Sequence, residues 1–287
     1  MRFVKITALI NAMSGSVPAD ADQSLKSALE AAGHSVTILS ASGADICDIT
    51  PEAMKSESDM IIVWGGDGTT ACVLNASGLD GPPVLALPGG SMNLVHQRMH
   101  YGQTDWENIL STVLKNPVPE NFSAGLIGDA RFYVAAMFGR LTRLTDAREA
   151  VRKGELLEAA RTIVTSNAFD VNAHLTFRIA HAGESEVIEA AAGAIIVTGN
   201  RRPRLEVAAI NPDSAFDLVS IGLQSWMKDW HEVEAVESDE GREVFVSELN
   251  GRSIPATLDG ETCELSGAIS ARIVPQAARV FRARPSE

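Results

Sequence analysis

The sequence predicts an α/β protein whose first part is a parallel sheet covered by helices and whose second part is rich in antiparallel strands. Apolar runs alternate with helical patterns up to about residue 90, in the order β-α-β-α-β-α-β, which is typical of a sheet with crossover helices. Beyond residue 122, short alternating patterns separated by turn residues dominate. Residues 115–120 contain two prolines between these textures and mark the best boundary. We therefore expect domains at residues 1–120 and 121–287, and the C-terminal segment of the second can return to the first.

Four apolar runs predict the strands of the first domain. They cover residues 4–10, 36–39, 60–64 and 84–87. A helix is predicted over residues 20–32, because Leu25 and Leu29 share one face and Gly33 follows its end. A second helix is expected to open at Thr50-Pro51, since threonine caps helices and proline suits the first turn. A third follows residue 64 and runs to about residue 76. Ligands bind at the carboxyl ends of such strands, as in Rossmann-like α/β/α domains.

The second domain shows strand patterns with one helical interruption. Residues 122–127 and 131–137 flank a Gly128-Asp129 turn, which predicts a hairpin. A helix is expected over residues 146–165. Further strands are predicted over residues 171–179, 194–198, 244–249 and 272–274. This half is expected to be largely antiparallel.

Composition excludes several classes of protein. The formal net charge of −13 argues against a nucleic-acid binder and against a polybasic membrane anchor, because both need a positive field. No segment holds 18 uninterrupted apolar residues. The three cysteines have no CxxC spacing, so we expect reduced thiols and a cytoplasmic protein. His96 and His100 lack the glutamate of an HExxH motif and are expected to form a surface pair.

The stretch VWGGDGTT, residues 63–70, predicts an anion site. A strand, a glycine turn and a helix N-terminus together present backbone amides and the positive end of a helix dipole, which suit phosphate. Asp67 would repel bare phosphate, but a carboxylate is useful there if Mg²⁺ lies between the two. The alternative is a tight turn in which Asp67 caps the following helix.

Two further polar turns are predicted to lie at the same sheet edge. PGGSMNL, residues 88–94, follows the next strand, and NAMSG, residues 11–15, follows the first strand. Because adjacent parallel strands end at one edge, their amides and the side chains of Ser91 and Asn93 can converge on one nucleotide.

The motifs, taken in order, resemble the catalytic domain shared by diacylglycerol, sphingosine and ceramide kinases and their bacterial lipid-kinase relatives. GGDGT is followed after about twenty residues by P-x-G-[ST]-x-N. FYVAA at 132–136 resembles a strand opening the family's second domain, and NPDSAFDL at 211–218 resembles its DGxLD segment. DGE at 259–261 and the closing VPQAARV at 274–280 also fit the family pattern. The resemblance spans nearly the whole chain.

The resemblance implies ATP- and Mg²⁺-dependent phosphorylation of a lipid hydroxyl, with a diacylglycerol-like acceptor as the default. It places the proton acceptor at Glu261, and a structural Mg²⁺ at Asp213 with the carbonyls of Ile210 and Ala215. The residues that it implies for ATP binding are Asn11, Ser14, Gly15, Ser40, Gly65, Gly66, Asp67, Gly68, Thr69, Thr70, Ala71, Ser91 and Asn93.

Partners and alternatives follow from the same pattern. The expected partner is a lipid substrate, with transient contact at the inner face of the membrane and no nucleic acid. Many family members have Asn-Glu where this chain has Ala71-Cys72, and Ser214 replaces a glycine. These departures motivate one alternative, a nucleotide- or lipid-binding protein without catalysis. The other alternative is a small-molecule kinase of the NAD kinase type, which shares GGDG.

Overall fold

A computed structural model describes residues 5–41, 45–139, 174–180, 185–199, 202–210 and 236–284. The chain divides into two compact units. The first unit combines Met1–Ala124 with Val274–Glu287, and the second unit is Gly125–Ile273. The predicted helix at residues 146–165 and the start of the strand predicted at 171–179 lie outside the described residues.

The first unit is built on a parallel sheet. Its strands and helices, in chain order, are β1 (Lys5–Asn11), α1 (Ala21–Ala31), β2 (Ser35–Ala41), α2 (Asp45–Lys55), β3 (Met60–Gly65), α3 (Asp67–Ser77), β4 (Val84–Pro88), α4 (Leu94–His100) and α5 (Trp106–Lys115). The strand order β2-β1-β3-β4 is parallel throughout. The end of the last strand of the chain pairs with β4, with Val280 opposite Val84.

Burial explains why these apolar runs form a parallel sheet. Every residue of β3 is buried, as expected for a strand with helices on both faces. Leu25 and Leu29 of α1 are completely buried, which confirms the helix face predicted from their spacing. All four predicted strands are present, with ends that differ by one or two residues. This half of the predicted fold is confirmed.

Helix α2 differs from its prediction. It begins at Asp45, and Pro51 lies inside it rather than in its first turn. Thr50 is buried, and its hydroxyl donates to the carbonyl of Ile46 at 2.7 Å instead of capping the helix. The Thr-Pro pair is therefore part of a helix that already runs from Asp45.

The second unit consists of antiparallel strands in two sheets. Its strands, in chain order, are the end of β5 (Pro119–Ile127), β6 (Ala130–Phe132), β7 (Ala135–Phe138), β8 (Leu175–Ala180), β9 (Ser185–Ala190), β10 (Ala192–Thr198), β11 (Arg204–Ile210), β12 (Val236–Gly241), β13 (Glu243–Glu248), β14 (Ile254–Leu258), β15 (Glu261–Leu265) and the first part of β16 (Ala268–Phe281). One sheet has the order β12-β11-β10-β7-β14-β15. In the other, β13 pairs with β16 and β8, and β8 pairs with β9. Phe138 and Phe177 pack edge to face in the core that these strands bury. The predicted fold class, a parallel α/β part followed by an antiparallel β-rich part, is confirmed.

The predicted hairpin at residues 122–137 is half right. β5 and β6 pair around the Gly128-Asp129 turn, but the second arm breaks at Tyr133 and Val134. After this bend β7 pairs with β10 and β14 in the other sheet. Residues 132–137 form one continuous run, FYVAAM, with no turn residue at the bend, so the sequence does not reveal the change of sheet.

Among the described residues, no helix has the length and apolar character needed to cross a membrane.

Candidate phosphate-binding site and catalytic carboxylates

Three turns meet at the carboxyl edge of the parallel sheet, after β1, β3 and β4. The amide of Gly66 donates to the hydroxyl of Ser14 at 3.2 Å. The side-chain amide of Asn11 donates to the hydroxyl of Thr69 at 2.9 Å. The amide of Ser16 donates to the carbonyl of Gly89 at 2.9 Å. The structure therefore brings together three turns that lie far apart in sequence.

Glycines let two of these turns approach each other closely. A Cβ atom on Gly90 would lie 2.8 Å from the Cα of Gly66. A Cβ atom on Gly89 would lie 2.8 Å from the Cα of Gly65. These distances are shorter than any normal contact between nonbonded carbon atoms, so side chains there would push the two turns apart. The glycine pairs are required by packing between backbones.

The N-terminus of α3 offers amides for an anion. Its first intrahelical hydrogen bond is donated by Thr70 to the carbonyl of Gly66. The amides of Asp67, Gly68 and Thr69 precede that bond and have no acceptor within the helix. The N-cap residue is Gly66, which has no side chain that could accept a hydrogen bond from them. These amides and the helix dipole form an anion cradle that suits phosphate.

Asp67 joins the two glycine turns. Its carboxylate accepts from the amide of Val95 at 2.8 Å, and the amide of Leu94 also contributes. It therefore caps α4, 28 residues away, rather than its own helix as in the alternative interpretation. Burial raises the pKa of the Asp67 carboxyl above its usual range, and the two backbone hydrogen bonds oppose that shift. The half-buried carboxylate is held at the edge of the cradle.

Comparison with known proteins identifies this part of the chain. Residues 5–121 match the family model described as the diacylglycerol kinase catalytic domain. Over these residues the chain is similar to that catalytic domain.

The fold of the chain is also similar to solved structures from Bacillus anthracis str. Sterne. One is a proposed diacylglycerol kinase with 17% identity and a TM-score of 0.69, and the alignment covers 98% of both chains. Another is a crystal structure of a diacylglycerol kinase with 16% identity, a TM-score of 0.67 and the same coverage. At these identities the likeness shows a shared fold.

Other predicted nucleotide-binding residues of the first unit lie around the cradle, and their side chains differ in exposure and in hydrogen bonding. Both amide atoms of Asn93 bond to the backbone of Gly90, at 2.7 and 2.8 Å, so this side chain shapes its own turn. Ser91 and Gly15 are exposed beside the cradle, and Ala71 is half-buried in the first turns of α3. Ser40 is the last but one residue of β2, and its exposed side chain donates to the carbonyl of Ile10 at 3.5 Å.

The predicted metal site at β11 lies mostly outside the described residues. Ile210 is the last residue of β11, whereas Asp213 and Ala215 fall in a segment that the structure does not describe. Among the described residues, no group of three or more histidine, cysteine, aspartate or glutamate side chains could hold a metal ion. A magnesium ion at the cradle would thus depend on Asp67 together with phosphate oxygens and water, a ligand set typical of Mg²⁺.

In the second unit, Glu261 is the first residue of β15, directly after the turn from β14, and it is exposed. Two residues earlier, Asp259 accepts hydrogen bonds from the amides of Tyr133, Val134 and Ala135. The DGE motif in the sequence points to Glu261 but indicates no role for Asp259. Its partners are more than 120 residues away, so only the Asp-Gly pair, a turn signal, was visible in the sequence.

Two side-chain predictions for the first unit are wrong. His96 and His100 are not on the surface, because their exposed fractions are 2% and 0%. The Nε2 of His100 bonds to the carbonyl of Ala86, and its Nδ1 accepts from the amide of Ala283. Burial lowers the pKa of His96 to about 4 and that of His100 to about 3.

The second wrong prediction concerns the state of the cysteines. Cys47 of α2 and Cys72 of α3 form a disulfide, with their Cα atoms 6.0 Å apart, and Cys263 is free. The expectation of three reduced thiols is therefore wrong. The pair is separated by 25 residues, and the CxxC test could not reveal it.

Proposed function

We propose that this protein transfers the γ-phosphoryl group of ATP to the hydroxyl of a diacylglycerol-like lipid. The observation that carries the proposal is the cradle itself: three turns at one sheet edge, with the amides at the start of α3 that have no acceptor within the helix, and a carboxylate at the rim. The match of residues 5–121 to the diacylglycerol kinase catalytic domain supports ATP as the phosphoryl donor.

The cradle would hold the phosphates of ATP. The amides of Asp67, Gly68 and Thr69 would donate to phosphate oxygens, and the packed glycines allow that close approach. Asp67 would be the protein ligand of Mg²⁺, and the ion would supply positive charge that stabilises the transferred phosphoryl group. Asp67 is suited to this position because backbone amides already orient its carboxylate.

Glu261 would act as the base. Its carboxylate would accept the proton of the lipid hydroxyl while the hydroxyl oxygen forms a bond to the γ-phosphorus. The bond from that phosphorus to the β,γ-bridging oxygen breaks, and ADP leaves. A positioned general base is typically worth about 10²–10⁴-fold in rate. Glu261 is exposed, so it is accessible to a substrate.

The first experiment compares Glu261→Gln with Glu264→Gln. Glu264 lies on the same strand at an odd spacing, so its side chain projects from the opposite face. With labelled ATP, Mg²⁺ and vesicles containing diacylglycerol, we expect wild type and Glu264→Gln to give labelled phosphatidic acid. Glu261→Gln should lose about 10²-fold or more of kcat. Equal activity of the two variants would contradict the role given to Glu261.

The same samples separate the alternative functions. ATP or lipid binding by calorimetry without turnover would indicate a binding protein that lacks catalysis, the alternative motivated by Ala71-Cys72. Conversion of NAD to NADP would indicate a kinase of the NAD kinase type. Labelled lipid with no NADP would support the lipid kinase.

A further inference from the structure

The turn that carries Glu261 is fixed by an aspartate with more hydrogen bonds than a turn requires. Asp259 and Gly260 both have positive φ, 48° and 94°, in the two-residue turn between β14 and β15, where Leu258 pairs with Glu261. Positive φ at both central positions is typical of a type I′ hairpin turn, which favours Asp-Gly or Asn-Gly for backbone reasons alone. Because asparagine suits this turn as well as aspartate does, the turn alone does not explain why residue 259 carries a carboxylate.

The carboxylate of Asp259 instead binds a distant segment. Its Oδ2 accepts from the amide of Tyr133 at 2.5 Å, and its Oδ1 accepts from the amides of Val134 and Ala135 at 2.8 and 3.0 Å. The amide of Asp259 donates in return to the carbonyl of Ala135 at 2.9 Å. Hydrogen bonds to a charged acceptor are among the stronger ones in proteins.

The segment that Asp259 binds is the bend at which the chain leaves one sheet and enters the other. β6 pairs with β5 before the bend, and β7 pairs with β10 and β14 after it. Tyr133 is completely buried, and the carbonyl of Val134 accepts from the amide of Val197 at 2.8 Å. The bend is thus anchored in the core of the unit, and Asp259 ties the β14–β15 turn to that anchor.

Glu261 depends on this tie for its position. Glu261 is the first residue of β15, directly after the turn, and it pairs with Leu258 across that turn, so the backbone of the turn sets where its carboxylate lies. A base must lie within hydrogen-bond distance of the proton that it accepts, and a displacement of about 1 Å can cost about 10²-fold in rate.

We infer that Asp259 is a positioning residue: its bonds to the amides of residues 133–135 hold Glu261 where it can accept the proton of the substrate hydroxyl. This inference rests on the proposed function of Glu261. It assigns no chemical step to Asp259, whose carboxylate is already occupied by three amides.

A double-mutant cycle tests the inference. The variants are Asp259→Ala, Glu261→Gln and the pair combined, with Asp129→Ala as control, since Asp129 is an exposed turn aspartate of the same unit. We expect Asp259→Ala to lower kcat by about 10–100-fold with the KM for ATP within about twofold of wild type. The double variant should be no slower than Glu261→Gln alone. Once the base has been removed, a shift of the turn that carried it has no further effect on the rate. Asp129→Ala should resemble wild type.

Independent, additive losses in the double variant would overturn the inference, as would a wild-type kcat in folded Asp259→Ala. If Asp259→Ala does not fold, Asp259→Asn takes its place, because it keeps one acceptor oxygen, and the same additivity test applies. The proposed function fails differently: wild type would show no turnover, or Glu261→Gln would match wild type, and either result would remove the base that Asp259 is inferred to position.

Discussion

Replacing Asp67 by asparagine should separate the structural role of this residue from its chemical role. The carboxylate caps α4 through the amide of Val95 at 2.8 Å. Asparagine keeps an acceptor oxygen of the same shape, so the loss is the difference between a charged and a neutral hydrogen bond, about 1 kcal/mol. Burial raises the pKa of Asp67, so the charged form is disfavoured in the folded protein. Removing the charge offsets part of the loss, and the free energy of unfolding should change by less than about 1 kcal/mol.

Catalysis should respond far more strongly. Removing one preorganised electrostatic group from an active site typically costs about 10²–10³-fold in kcat. We therefore expect Asp67→Asn to bring the rate of labelled lipid formation down by that factor at saturating ATP and Mg²⁺. Urea unfolding of the same preparation would measure its stability.

Asp105→Asn is the matched control. Asp105 caps α5 in the same unit by accepting from the amides of Glu107 and Asn108 at 3.0 and 3.3 Å, but it is not part of the cradle. Its variant should lose a similar amount of stability and keep its activity. If Asp67→Asn kept activity within about threefold of wild type, Asp67 would be a helix cap only, and the magnesium role would be refuted.

Three further predictions concern packing, pH and thiols. Gly90→Ala places a Cβ atom 2.8 Å from the Cα of Gly66, so kcat/KM for ATP should fall by about 10–100-fold while circular dichroism stays unchanged. In the folded protein the pKa values of His96 and His100 are about 4 and about 3, below the ordinary value near 6.5. The folded state therefore binds fewer protons than the unfolded state. The contribution of the two neutral histidines to the free energy of unfolding is complete above pH 6.5. It is lost as the pH falls toward 4, by roughly 1.4 kcal/mol per pH unit for each histidine. Urea unfolding should show this slope, and His96→Leu should reduce it by about half. Thiol titration in denaturant should find one reactive cysteine before reduction and three after it, and three without reduction would contradict the disulfide.

Local patterns were sufficient to predict the first unit. The strand β3 is a continuous apolar run because both of its faces are buried, and the Leu25–Leu29 spacing marks the buried face of α1. Short glycine turns after such strands are visible in the sequence, so the cradle could be predicted along with the fold. Parallel topology then brings the turns together without any further signal.

The features that the sequence could not predict depend on long-range partners. The capping of α4 by Asp67 joins residues 28 apart, and the bonds of Asp259 span 124–126 residues. The spacing of His96 and His100 shows that they share a helix face, but not that the face is buried. In each case the surroundings of the side chain depend on which elements become neighbours in the fold, and sequence periodicity carries no information about that.

The most direct test of the central claim uses an unbiased set of acceptors. Purified protein would be incubated with Mg²⁺, ATP labelled at its terminal phosphate and a total lipid extract, and the labelled product identified by mass. We predict one labelled lipid monophosphate, absent when Mg²⁺ is chelated and when Glu261→Gln replaces wild type. No labelled lipid from folded protein in the presence of Mg²⁺ would contradict the claim that this cradle serves a lipid kinase.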